Sequence, residues 1–414
     1  MRAVAVLVAA AVIGAVAYGH VGASGGRADS TRVPAAAGGT QALANVFVST
    51  AGNDSGCRRS RTPAAYAPAT ACATLTAAYG LASAGDTIDV KAGQYPGGDL
   101  PARSLGSSVV TIAAAPGESV MVTGTLSIHA SYVTVSRLDL AQAYSIYQGA
   151  SFVTMENDTA PHAFIDGTNV TVSGGEIGPN DACTTGLEDG IQIWPHSRHT
   201  LIEGVTIHDQ SDEGDQCADS PQQRGVHMDC IQLYAANDVT IANDTFYNCA
   251  EDSVEANPGP FDNVTIENTM NGPVVTPGAV FNIGDVTTTC TDFVVRYNTT
   301  AGTDPLFRCG GAGSSGNLVY GNIFHGLSTC GVNFSCSYNV TEATTPIGFG
   351  SRRCTPVFDP SSTTVADYRL SAADKCARNA GDPKRSPVLD FDDYPRPVGA
   401  APDAGADEIP WRGR

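Results

Sequence analysis

The chain has 414 residues, 42% of them hydrophobic and 7% aromatic, enough to bury a long core. Its 42 acidic residues outnumber 23 basic ones, and a net charge of −19 excludes nucleic acid and anionic membranes as partners, because both reward basic surfaces. The same balance disfavours a strongly anionic polysaccharide unless a cation such as calcium mediates the contact.

The N-terminus reads as a secretory signal over residues 1–23, with Arg2, a 15-residue apolar stretch from Ala3 to Ala17, and small residues at Val21-Gly22-Ala23 before the cut. The apolar run is shorter than the roughly 20 residues of a spanning helix, so no membrane insertion is expected once the signal is removed. Residues 24–43, rich in Ala, Gly and Ser, form a disordered leader. Export to an oxidising, extracellular compartment then accounts for the 12 cysteines as disulfides. They fall into local couples: Cys57 with Cys72, Cys183 with Cys217, Cys230 with Cys249, Cys290 with Cys309, Cys330 with Cys336, Cys354 with Cys376. No Cys-x-x-Cys doublet or His-rich spacing supports a zinc site, and no metal ligand set is assigned.

Past the leader the chain repeats itself. Short β-branched, alternating segments begin at Val133, Val153, Val170, Leu201, Val239, Val264, Val294 and Leu318, with spacings of 20, 17, 31, 38, 25, 30 and 24 residues. These are too short for strand-helix-strand units, and almost no 3.6-residue apolar period separates them. One coil of a parallel β-solenoid fits, with the larger gaps holding looped insertions. Asn157, Asn243, Asn268, Asn298 and Asn322 stand four places after the starts of their segments. Asn tolerates the left-handed backbone of a tight corner, and its amide bonds to an Asn stacked on the next coil, which predicts a corner ladder.

At these residues the chain resembles the right-handed parallel β-helix proteins of the pectate-lyase-like superfold, from about Ala44 to Glu408. The opening "VFVSTAGNDSGC…CATLTAAYGLASAGDTIDVKAGQYP" resembles the start of secreted members, and "DYRLSAADKCARNAGDP…APDAGADE" their C-terminal closure. The resemblance implies an all-β fold over residues 44–408: a β-helix from about Val46 to Ala366, an N-terminal capping helix near Cys72 to Ser83, a C-terminal closing segment, and a tail at 409–414. It implies no particular activity, because the superfold hosts lyases, hydrolases, epimerases and plain binding proteins.

Three coils carry related strands: "EDGIQIW" from Glu188, "MDCIQLY" from Met228 and "EDSVEAN" from Glu251. Stacked as rungs, they place Asp189, Asp229 and Asp252 in one column and Gln192, Gln232 and Glu255 in another. Strand alternation sends Ile191, Ile193, Ile231, Leu233, Val254 and Ala256 into the core and the second column outward, with Trp194 and Tyr234 beyond it. The aspartates belong at the strand-entering corner, since an ionised carboxylate inside the core is costly without hydrogen bonds or a cation. Rungs about 4.8 Å apart place carboxylates at separations that bracket those of retaining and inverting glycosidases.

Between His208 and Asp229 lies the longest insertion, carrying Asp209, Asp212, Glu213, Asp215, Asp219, Arg224 and His227. Its density of hard oxygen ligands suits calcium, although the spacing matches no known loop motif and a solvated acidic loop has the same composition. His227, beside Asp229 and near Glu251 of the following coil, is the first choice for proton transfer because an imidazole titrates near neutrality. Aromatic faces at Trp194 and Tyr234 suit sugar rings. The candidate catalytic set is Asp189, His227, Asp229, Asp252 and Glu255. Gln192, Trp194, Arg224, Gln232 and Tyr234 are the candidate substrate contacts.

Many β-helix lyases use Lys or Arg as the base, but lysine occurs here only at 91, 375 and 384, away from this patch. The paired Asp-Asp and Gly-His-Gly motifs that would resemble polygalacturonases are also missing. Two classes stay open: a secreted, monomeric enzyme cleaving an extracellular polysaccharide, by hydrolysis or elimination, and a non-catalytic glycan-binding or structural β-helix whose aspartates cap corners. No cofactor beyond calcium is in view.

Overall fold

A computed structural model describes residues 43–211, 227–275, 278–359 and 366–409. The expected signal peptide, nearly all of the leader, most of the acidic insertion with Arg224 and Cys217, and most of the tail lie outside the described residues. Among the described residues no helix is long and apolar enough to cross a membrane.

The chain winds into a right-handed parallel β-helix with three sheets, of 12, 9 and 13 strands, each pairing one coil with the next in parallel register. A typical coil begins with a long strand such as Ser151–Glu156. It turns a corner into a two-residue strand, Thr159–Ala160, turns again into a three-residue strand, Ala163–Ile165, and returns to the long sheet at Thr168–Ser173. Alternation fills the interior: Val133, Val153, Val170, Val239 and Val264 stack in the long sheet, and all are buried. Both faces of such a coil cannot be apolar, so period two dominates the sequence and no helical period appears.

The helix Leu75–Leu81 lies within the expected 72–83 segment. Thr74 caps its start by accepting from Ala77 N, and Leu75, Ala78 and Tyr79 join the core. After the last short strand, Arg352–Arg353, the residues from Leu370 to Ile409 build a second apolar cluster on Ile323 and Val340. Its centre holds the buried Arg396, paired with Glu408 at 3.3 Å and lying over the Tyr297 ring.

Disulfides join Cys57–Cys72, Cys230–Cys249, Cys290–Cys309, Cys330–Cys336 and Cys354–Cys376, five of the six expected couples. Cys183 is also disulfide-bonded. The expected partner, Cys217, lies outside the described residues.

The asparagine ladder needs a correction of one residue. Strand register aligns Val264 with Phe293, not Val294, and Val294 with Leu318. The five asparagines therefore fall into two adjacent columns. Asn157, Asn243 and Asn268 occupy the left-handed corner position, shared with Tyr297 and Tyr338. Asn298 and Asn322 occupy the next, inward position, where Asn339 joins them: Asn298 Nδ2 donates to Asn322 Oδ1 at 3.0 Å, and Asn322 Nδ2 to Asn339 Oδ1 at 3.0 Å. Asp158 and Asp244 hold this inward position in earlier coils, accepting Leu138 N and Val205 N. The misreading has a simple cause. A fixed offset from a β-branched start cannot distinguish neighbouring positions when the start itself slips by one.

Candidate functional site

The nine-stranded sheet carries the three related rungs in register: Ile191 pairs with Ile231 and Val254, Gln192 with Gln232 and Glu255. Asp189, Asp229 and Asp252 stand just before these strands, buried at the corner as expected. Each uses one oxygen to accept the backbone N–H of the next coil. Asp189 Oδ1 takes Asp229 N at 2.9 Å, Asp229 Oδ1 takes Asp252 N at 2.8 Å, and Asp252 Oδ1 takes Ala279 N at 2.5 Å. Gly278 lets the last coil come this close, because a Cβ there would lie 2.1 Å from Glu251 O.

The second oxygen of each aspartate faces a side chain. Gln192 Nε2 donates to Asp189 Oδ2 at 3.0 Å and Asn282 Nδ2 to Asp252 Oδ2 at 2.8 Å. Asp229 Oδ2 meets His227 Nδ1 at 3.0 Å. On its other side His227 presents Nε2 to Glu251 Oε2 at 2.9 Å and Glu255 Oε2 at 3.2 Å. Gln232 Nε2 holds Glu255 at 2.9 Å, and Asn282 Nδ2 also reaches Glu255 Oε1 at 3.2 Å. One imidazole therefore sits among carboxylates from three coils. An open pocket of about 340 Å³ lies over it, lined by His227, Glu251, Asp252, Asn282, Asp304 and Leu306.

Electrostatics follow from this crowding. Burial pushes Asp189 up to about 6 and Glu255 up to about 7, and it raises Asp252 and, strongly, Asp229. Contact with Asp229, then with Glu251, drives His227 up to about 12, so its imidazole is a cation across the neutral range. An imidazolium held that firmly neutralises its neighbours; Glu255 is the group poised to exchange a proton near neutrality.

The structure brings the five candidate catalytic residues together. Among the candidate contacts, Gln192 and Gln232 point outward as expected, but their amides are engaged with Asp189 and Glu255, and Gln232 is buried. They orient the carboxylates. Tyr234 Oη donates to Gln232 Oε1 at 2.8 Å, while Trp194, 39% exposed, leaves its ring open. Arg224 lies outside the described residues. Of the arginines that could serve a lyase as base, Arg198 bonds to Pro195 and Ser197 carbonyls and Arg296 pairs with Glu267. Arg308 reaches the rim of the cluster, donating to Asn282 Oδ1 at 2.7 Å.

Asn282 is the residue that sequence reasoning missed. It occupies the outward column one rung after Glu255, in a strand, "FNI", with no acidic signature. Register would have found it, since Phe281 aligns with Val254.

One oxygen each from Asp229, Asp252 and Glu255 and one His227 nitrogen lie within 4.8 Å of one another, a donor set for a divalent cation. Three carboxylate oxygens suit calcium; the imidazole nitrogen departs from its usual all-oxygen shell.

No family model matches the chain, and no curated protein matches it. Similar solved structures include pectate lyase Pel9A, at 12% identity over 88% of this chain and 96% of that one with a TM-score of 0.49. An alginate lyase from Paenibacillus sp. str. FPU-7 shows 13% identity over 69% and 90%, with a TM-score of 0.38. A mannuronic acid specific polysaccharide family 6 lyase from human gut microbiota shows 14% over 64% and 73%, also at 0.38. These are likenesses of fold.

Proposed function

We propose that this chain is a secreted, monomeric enzyme that hydrolyses a polysaccharide at the His227 cluster. The observation that carries the reading is the approach of the Glu255 and Asp252 carboxylates, whose oxygens come within 4.8 Å of each other and of the His227 imidazole beside an open pocket. Glu255, raised to about 7, donates a proton to the glycosidic oxygen as the leaving sugar departs; Asp252, raised by burial against the opposing contacts of Asn282 and His227, attacks the sugar carbon or stabilises its cation, and a water that returns its proton to Glu255 completes the hydrolysis. Carboxylate oxygens within 4.8 Å of each other leave less room than an inverting enzyme needs and favour the retaining arrangement of about 5 Å. Elimination from a uronate fits less well, because the cluster is acidic and no lysine is present to act as base.

A second reading, glycan binding without cleavage, draws on the backbone bonds: each aspartate already caps a corner. One experiment separates them. The purified protein is offered a panel of polysaccharides while reducing ends and unsaturated-uronate absorbance are followed together. Hydrolysis predicts reducing ends without absorbance, and loss of a hundredfold or more in Glu255→Gln. Absorbance rising with the reducing ends would replace hydrolysis by elimination; binding with neither signal would leave the second reading.

A further inference from the structure

Five ring-bearing residues lie along the nine-stranded sheet on consecutive coils, and they end at the acidic cluster. His129 stacks on Tyr147 at 4.4 Å between centroids; Tyr147 to Phe164 is 5.8 Å, Phe164 to Trp194 5.4 Å and Trp194 to Tyr234 5.4 Å. Four of the five follow their strands at one equivalent position, each donating its backbone N–H to the coil before it. At the middle coil that position is Asp166, turned aside to bind the backbone and ring of His196, and Phe164 fills the row from two residues earlier. On the next rung the row's own position is Asn257, and Glu255 stands two residues before it, in the column of Phe164. None of the five rings is buried in the core, and a cleft of about 450 Å³ runs beside them between Tyr147, Phe164 and Glu188.

We infer that this row is an extended binding track for a chain of uncharged pyranose units, leading the polymer into the His227 cluster. A parallel sheet sets one ring per rung at about 4.8 Å, so the track offers a repeated apolar surface of ring edges and tilted faces against which the C–H groups of successive sugars pack. Its polar neighbours in the adjacent outward column are Ser127, Ser145, Gln192 and Gln232, with the carboxylates of Asp99 at its start and Glu188 at the cleft. No lysine or arginine stands in either column until Arg308, beyond the cluster, so nothing along the track compensates the carboxylates of a polyuronate. The inference deepens the hydrolase reading by naming its substrate class.

The test is binding, read from Trp194 fluorescence in the Asp229→Asn protein so that the ligand persists. Probes are disaccharides and hexasaccharides of β-linked glucose, xylose and mannose, with a hexagalacturonate as the charged control. For at least one neutral sugar the hexasaccharide should bind roughly tenfold or more tightly than the disaccharide, and more tightly than the hexagalacturonate. Phe164→Ala and Phe164→Leu, the second keeping apolar bulk without a ring, should bring the length ratio towards one. Phe152→Ala, removing an exposed ring on the long sheet, should leave it unchanged. Binding independent of length, equal binding of the charged hexamer, no binding at all, or an intact ratio in both Phe164 variants would overturn the track. Length-dependent binding without cleavage by the unmodified protein would overturn hydrolysis and leave the track standing. Cleavage with an intact ratio in the Phe164 variants would do the reverse.

Discussion

Two corners of the β-helix, on different coils, are built on the same device and reach different ends. At one, Asn298, Asn322 and Asn339 stack on successive coils, each carboxamide oxygen taking the backbone N–H of the coil before while each amide group donates onward. At the other, Asp189, Asp229 and Asp252 also take one backbone N–H each, but a carboxylate cannot donate to its neighbour. The asparagine column is closed: oxygen and nitrogen are both satisfied within it, and it is buried without charge. In the aspartate column one oxygen per rung remains for something else, and the charge must be met. Gln192, His227 and Asn282 meet it, and they face solvent. The carboxylate alone does not make the difference, since Asp158 and Asp244 sit buried in the asparagine column; the solvent-facing partners of the aspartate column do.

Asp229→Asn is the severest way to break this contrast, because it makes the central reactive rung resemble the structural ones. Oδ1 can still accept Asp252 N, but the charge facing His227 is gone. Cleavage should fall on the order of a hundredfold or more. Turnover against the best polysaccharide, with the melting temperature beside it, checks this. A loss of about 1–2 kcal/mol of stability with unchanged activity would make Asp229 a corner cap only.

Asp158 provides the reverse substitution. It occupies the inward asparagine position in an early coil, is almost fully buried, and burial raises it to about 7. A carboxyl whose folded pKa exceeds its unfolded value near 3.8 holds its proton longer when folded, so its contribution to stability is greatest below about 4. It is lost as pH rises from there to about 7. The linked change is on the order of 4 kcal/mol for so buried a group. Asp158→Asn should flatten the stability curve over that window, as measured by denaturant melts at several pH values. A curve identical to that of the parent would show that Asp158 is already ionised.

The disulfide Cys230–Cys249 ties the middle rung to the coil wall across a separation of 19 residues. Replacing both cysteines by alanine should cost about 3 kcal/mol through the unfolded chain. The loss should appear as a lower melting temperature with Kd for oligosaccharide unchanged, since neither sulfur reaches the groove.

Much of this was legible in the sequence, for a physical reason. Period two and the stacking of like on like leave marks at fixed offsets, so the coil could be read from the segments between Val133 and Leu318, the local couples from the cysteine spacing, and the aspartate and outward columns from residues 188–256. Three things could not. The asparagine columns were merged because strand starts slip by one between Val264 and Phe293. The roles of Gln232 and His227 depend on which oxygens they reach, and His227, chosen for a near-neutral imidazole, is held as a cation by carboxylates from three coils. The aromatic row escaped because Tyr147 and Phe164 are 17 residues apart and sit at different strand positions, and only a known register aligns them.

The last test concerns gradation within the aspartate column itself. If charge beside the imidazole makes the difference between the two corners, the three aspartates should not be equal. Asp189 is the outlying rung: its second oxygen is held by the neutral Gln192 amide, and its first lies 4.0 Å from His227 Nδ1, against 3.0 Å for Asp229. Asp189→Asn keeps the acceptor for Asp229 N and removes a charge that only modulates the cluster from one side. The expected loss is about tenfold in turnover, or about 1.4 kcal/mol in the barrier, well below that of Asp229→Asn. Because Asp189 adds to the burden of negative charge around Glu255, its removal should also move the alkaline limb of the pH–rate profile, which follows the loss of the Glu255 proton, downwards in pH. Rate profiles of the two variants side by side decide the matter. Equal losses would mean that the column acts as one undivided unit, and no shift of the alkaline limb would mean that Glu255 does not sense Asp189.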